Sequence, residues 1–185
     1  MRNDICLSNG KKYLTLHKHS DILIVILHKR GDTLSVDCKS VDLKYRLDLR
    51  IITDTEKGPI EVTTGEFAST KKITEGKLYN DKLKSVLISK CHLNSILKKM
   101  EFIPENQVRK VNMPILQIMG QNISLYALTL IDKQVYSVQN VMDAEYLRTI
   151  RGVRIGEVQK ILDLLEQLEV SYIKGYPQQC PTTHR

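Results

Sequence analysis

Two alternating runs joined by one turn, with a long amphipathic helix after them, constrain most of what this chain can fold into. Residues 45–53 read Tyr-Arg-Leu-Asp-Leu-Arg-Ile-Ile-Thr, and residues 60–68 read Ile-Glu-Val-Thr-Thr-Gly-Glu-Phe-Ala. Successive side chains on a strand point to opposite faces. Leu47, Leu49 and Ile51 therefore share one face, and Arg46, Asp48, Arg50 and Ile52 the other. On the second run Ile60, Val62, Thr64, Glu66 and Ala68 point one way, while Glu61, Thr63, Gly65 and Phe67 point the other. The link Asp54-Thr-Glu-Lys-Gly58-Pro59 has the residues of a hairpin turn. Antiparallel pairing then sets Asp48 beside Glu66. Gly65 inside a strand marks a bulge or the close approach of another backbone.

The helix is expected over 76–100. Leu83, Val86, Leu87, Leu93, Ile96, Leu97 and Met100 recur at spacings of three and four, and Lys77, Lys82, Lys84, Lys90, Lys98 and Lys99 stay largely off that stripe. Residues 1–30 read as strands and loop, with a buried strand at Asp21–His28. Thr33–Asp37 reads as a short strand and 38–44 as loop. After a loop at Glu105-Asn-Gln come Met113–Met119, Ile123–Ile131 and Val135–Val141, which read as a three-stranded antiparallel meander. Asp143 is expected to cap a short helical segment, and 156–170 to form a closing amphipathic helix. The fold class is α/β with a mixed α+β sheet. One globular domain spans 31–172, preceded by the 1–30 strands and followed by a disordered tail over 173–185.

Of the 185 residues, 42% are hydrophobic and 26% charged, which argues against disorder. The net charge of +7 permits an acidic partner such as DNA or RNA but does not demand one, and a lysine-rich solvated surface is the simpler account of it. Trp is absent, so stacking platforms for single strands are few. Cys6, Cys38, Cys91 and Cys180 form no close pair, and no apolar run is long enough to span a bilayer. An intracellular protein of the nucleus or cytoplasm, with reduced thiols and no membrane partner, is expected.

Asp48 and Glu66 are the chemical candidates. Mg2+ or Mn2+ takes oxygen ligands, commonly one or two carboxylates with waters and phosphate oxygens completing the shell. The competing reading pairs Asp48 with Arg46 or Arg50 at a sheet edge. His17, His19, His28 and His92 lack the spacing of zinc ligands and read as solvated or core histidines. Arg148, Arg151 and Arg154 form a basic cluster able to meet phosphates, or a solvated helix end.

The order of Asp48, a turn, Glu66 and a helix resembles the PD-(D/E)XK nuclease superfamily. More closely, six stretches resemble an uncharacterised family of proteins from mucoralean fungi, over roughly residues 31–170. They are Gly31-Asp-Thr-Leu34, Arg46-Leu-Asp-Leu-Arg-Ile-Ile52, Gly65-Glu-Phe-Ala-Ser-Thr70, Lys77-Leu-Tyr-Asn-Asp-Lys-Leu-Lys-Ser-Val86, Pro114-Ile-Leu-Gln-Ile-Met-Gly120 and Leu130-Ile-Asp-Lys133. The superfamily resemblance implies an αβββαβ-type core, a metal held by Asp48 and Glu66, and DNA or RNA as substrate.

Two departures follow. The superfamily lysine two residues after the glutamate is replaced by Ala68, so Lys71, Lys72 or Lys82 is expected to supply that charge. The N-terminal helix of the fold is replaced by strands, as in a shortened member. Lys82, Lys84, Arg148 and Arg151 are the expected nucleic-acid contacts. The expected function is a magnesium-dependent phosphodiesterase or endonuclease, or a degenerate relative that binds nucleic acid. The alternative is a non-catalytic protein-interaction module, or an inactive remnant of a mobile element or duplicated gene.

Overall fold

In the computed structural model the described residues are 3–8, 11–18, 21–27, 33–55, 58–68, 74–100, 103–146, 149, 152 and 156–175. Asn3–Ser8 (β1), Lys11–Lys18 (β2) and Asp21–Leu27 (β3) come first. Thr33–Leu34 (β4), the short helix Val36–Lys39 (α1) and Arg46–Leu47 (β5) follow. Leu49–Thr55 (β6) and Gly58–Ala68 (β7) form the expected antiparallel hairpin, and Glu75–Lys99 (α2) is the expected long helix. Glu105–Val108 (α3) is a helical turn where a loop was expected. Asn112–Met119 (β8), Asn122–Asp132 (β9) and Val135–Glu145 (β10) make the meander, and Glu157–Gly175 (α4) closes the chain. Asp143 lies inside β10 rather than capping a helix: its backbone stays paired, opposite Ser124. Of the expected tail, 173–175 belong to α4 and the rest lies outside the described residues.

The main sheet runs β1-β2-β3-β6-β7-β8-β9-β10, and β4 pairs with β5 apart from it. All neighbours in the main sheet are antiparallel except β7 and β8, which run parallel because α2 carries the chain back between them. The architecture is thus a mixed α+β sheet with helices. Described side chains and core lie in its five strands β6 to β10. Ile115, Leu116 and Gln117 are consecutive and all buried, so β8 is covered on both faces. α2 packs on β7 and β8, and α4 on β8 and β10. Leu93 and Ile96 of α2 and Leu164 of α4 meet Val62, Ile115, Leu125 and Leu128 in one apolar core. Parallel strands buried on both sides need this double cover.

Thr74 starts α2: its hydroxyl accepts from the Lys77 N–H at 3.2 Å, satisfying one of the orphan donors of the first turn. The buried face of the helix keeps part of the expected stripe, with Leu93 and Ile96 in the core and Val86, Leu97 and Met100 packed against it, and departs from it in its first half. Ser85, Ile88, Ser89, His92, Leu93 and Ile96 are buried, Leu83 is exposed, and Leu87 is only half-buried. Much of the interface with β7 is therefore polar.

Gly65 is the expected close approach. A Cβ there would stand 3.0 Å from the Leu116 carbonyl oxygen and 3.0 Å from Leu49 Cβ. The bulge lies elsewhere: Ile51 pairs with Thr63 and Ile52 with Glu61, leaving Val62 as the extra residue.

Candidate functional site

The β6–β7–β8–β9–β10 register lines up polar residues across the sheet. Leu49 pairs with Gly65, which sets Asp48, in the bend before β6, level with Glu66. Glu66 pairs with Gln117, Gln117 with Ser124, and Ser124 with Asp143. The row Asp48–Glu66–Gln117–Ser124–Asp143 crosses at the C-terminal ends of the parallel strands β7 and β8. Cross-strand neighbours share a face, and this one lies under the N-terminal half of α2. Gln117 donates from Nε2 to the Leu78 carbonyl of α2 at 3.3 Å.

Glu66 is 4% exposed. Lys84 Nζ of α2 lies 2.7 Å from its Oε1. Burial pushes the Glu66 carboxyl up to about 7, against the pull of Lys84; Asp48 and Asp81 add to the rise by repulsion. Asp48 does not pair with Arg50. Its Oδ2 accepts from the Phe67 backbone N–H at 2.9 Å, an interaction that ties the bend to the residue after Glu66. Arg50 instead pairs with Glu61.

That second pair was not foreseen, because strict alternation sets Glu61 on the face away from Glu66. The extra residue Val62 breaks the alternation and brings Glu61 to α2. Arg50 Nε donates to Glu61 Oε2 at 3.1 Å, and His92 Nε2 lies 2.9 Å from the same oxygen. Burial alone would raise the Glu61 carboxyl; His92 and Arg50 outweigh it and hold it down to about 2. A carboxylate only accepts, so Nε2 of His92 carries the hydrogen. Ser35 Oγ also sits 2.7 Å from that same Nε2, and the buried Nδ1 has no partner. A nucleophile relay needs serine and acid on opposite ring nitrogens, so Ser35, His92 and Glu61 form a structural cluster and not a triad. Thr64 and Ser89, 2.8 Å apart, form the polar contact between these two groups.

The remaining expected residues fall as follows. Lys71, Lys72, Arg148 and Arg151 lie outside the described residues. Lys82 does not approach Glu66; its ammonium lies 3.9 Å from the centroid of the Tyr126 ring. Lys84, expected to contact nucleic acid, is the lysine at the acid pair. It escaped assignment because a helix can bring a charge to a strand from any of several turns. Gln117 was legible in principle, as the one polar residue inside Pro-Ile-Leu-Gln-Ile-Met.

Hard oxygen donors on two neighbouring carboxylates suit Mg2+ or Mn2+. Glu66 in particular lacks enough compensating charge for its burial, as its raised carboxyl shows. Among the described residues no group of three or more His, Cys, Asp or Glu is placed to hold a metal. No helix among the described residues is long and apolar enough to cross a membrane. The chain matches no protein-family model, no curated protein and no solved structure.

Proposed function

We propose that this chain is a metal-dependent phosphodiesterase of the PD-(D/E)XK kind, acting on DNA or RNA. One observation carries the reading: Lys84 of α2 stands 2.7 Å from Glu66, level with Asp48, on a β6–β7–α2–β8 unit whose last two strands are parallel. Lys84 supplies the charge that Ala68 cannot.

In this reading Asp48 and Glu66 hold Mg2+ or Mn2+, which when bound supplies a Lewis acid and a water of lowered pKa. Asp48 is oriented for this by the Phe67 N–H. Burial disfavours the charged form of Glu66, a cost that a bound cation would offset. Lys84, held beside Glu66, would counter negative charge developing on a phosphate at the site. Gln117 keeps the first turns of α2, and with them Lys84, over the site.

Plasmid, single-stranded DNA and single-stranded RNA offered with Mg2+ or Mn2+ test the reading. Cleavage is expected of the wild type, with a loss of about 100-fold or more in Asp48→Asn, Glu66→Gln and Lys84→Met. Absence of cleavage on all three substrates, or cleavage unchanged in Glu66→Gln, refutes it.

A second reading, the interaction module, draws on a different observation. Leu162 and Leu165 of α4 are each about half exposed, 51% and 49%. Unimpaired partner binding by a Glu66→Gln variant without nuclease activity would favour it.

A further inference from the structure

The segment 35–47 delivers the chain to Asp48, and α2 holds it in place. Ser35 Oγ meets His92 Nε2 at 2.7 Å, and Ser95 Oγ donates to Asp37 Oδ1 at 2.8 Å. These two pins flank a pair of thiols. Cys38 of α1 is fully buried, in a small cluster with Leu47 and Ile88, and Cys91 of α2 packs against that cluster. Cys38 and Cys91 thus meet at one apolar cluster between α1 and α2. Neither is bonded covalently, and Cys91 is half-buried, so it is the one that solutes can reach. A four-residue helix has little stability of its own, and here it is docked on α2 with Cys38 in the cluster that Cys91 packs against.

We propose that Cys38 and Cys91 form a reversible disulfide on exposure to a hydroperoxide, tying the segment that carries Asp48 to the helix that carries Lys84. The Cys91 thiolate attacks one oxygen of hydrogen peroxide, the O–O bond breaks, and the leaving hydroxide takes up the proton the thiol released and departs as water, giving a sulfenic acid. The Cys38 sulfur then attacks the Cys91 sulfur, the S–O bond breaks, and the hydroxyl leaves with the Cys38 proton as a second water. Two thiols lose two electrons in all, and one hydrogen peroxide becomes two waters. Burial raises both thiols, Cys38 to about 12. The reaction is therefore slow at neutral pH and quickens about tenfold per pH unit, with the thiolate fraction of Cys91.

The test uses the full chain with Cys6→Ser and Cys180→Ser, treated with hydrogen peroxide. Intact mass is expected to fall by two hydrogens, and one peptide pair to link positions 38 and 91. Dithiothreitol should reverse the change. Closing a long loop should raise Tm by about 5 °C or more. In a further Cys38→Ala variant, the Cys91 sulfenic acid should persist and be captured by dimedone many-fold more than when Cys38 is present. Three results overturn the proposal: dimedone capture equal with and without Cys38, no oxidation of either thiol in the folded protein, or a link that forms only in urea. The mass measurement stands even if the alanine variant does not fold.

Discussion

Neutralising Glu66 should change how stability depends on pH, by an amount the site sets. Its carboxyl moves from 4.5 to about 7 on folding. Between those values the folded protein keeps a proton that the unfolded chain has released, so stability falls as pH rises through the window. At 1.36 kcal/mol per unit, the loss is about 3 kcal/mol, present in full above pH 7 and absent below about 4.5. Glu66→Gln cannot titrate and should not show this decline. Removing the carboxylate also takes a partner from Lys84, but that side chain is 23% exposed and keeps access to water. Urea unfolding of both proteins in EDTA at pH 5, 6, 7 and 8 isolates the effect, because every other titrating group cancels in the difference. The wild type should lose about 2–3 kcal/mol relative to the variant across that range. A difference that stays flat within about 0.5 kcal/mol would refute the assignment of a buried, strained charge to Glu66.

Four further outcomes follow from contacts elsewhere in the fold. Arg50→Met should cost about 3–5 kcal/mol by leaving the buried Glu61 carboxylate short of a partner. With the Glu61 carboxyl held down to about 2, the stability it contributes is present above pH 4.5 and lost as pH falls toward 2, so wild type and Glu61→Gln should converge there in acid unfolding curves. Gly65→Ala, with no room between Leu49 and the Leu116 carbonyl, should cost about 1–3 kcal/mol by urea unfolding. Leu93→Ala should cost about 2–5 kcal/mol, whereas exposed Leu83→Ala should stay within about 0.5 kcal/mol despite its place on the same apolar stripe.

How much of this was legible in the sequence differs by element. The β6–β7 hairpin, α2 and the meander were readable, because alternation, turn residues and helical spacing are local signals. Gly65 was readable as either a bulge or a close approach, and the structure selects the second. The bulge at Val62 was not, since nothing in Ile-Glu-Val-Thr marks which residue goes unpaired. One extra residue sends Glu61 to α2, and the Arg50–Glu61–His92 cluster depends on it. The buried face of α2 was legible only in part, in its second half, for a related cause. Helical spacing locates an apolar stripe, but β7 offers Thr64, Glu66 and Glu61, and α2 answers with Ser89, Lys84 and His92. Asp48 and Glu66 were visible as a pair because a hairpin register is short-range. Lys84 was visible only as one of several helix lysines, since its reach depends on how α2 crosses the strands.

The claim that Asp48 and Glu66 share one divalent cation is tested most directly by adding substoichiometric Mn2+ to isotope-labelled protein and watching backbone amide signals. Broadening should centre on residues 48–50, 65–68 and 82–85, reverse with excess Mg2+, and disappear in Glu66→Gln. Broadening centred instead on Asp143, Glu145 and Glu157, or unchanged by Glu66→Gln, would contradict the account.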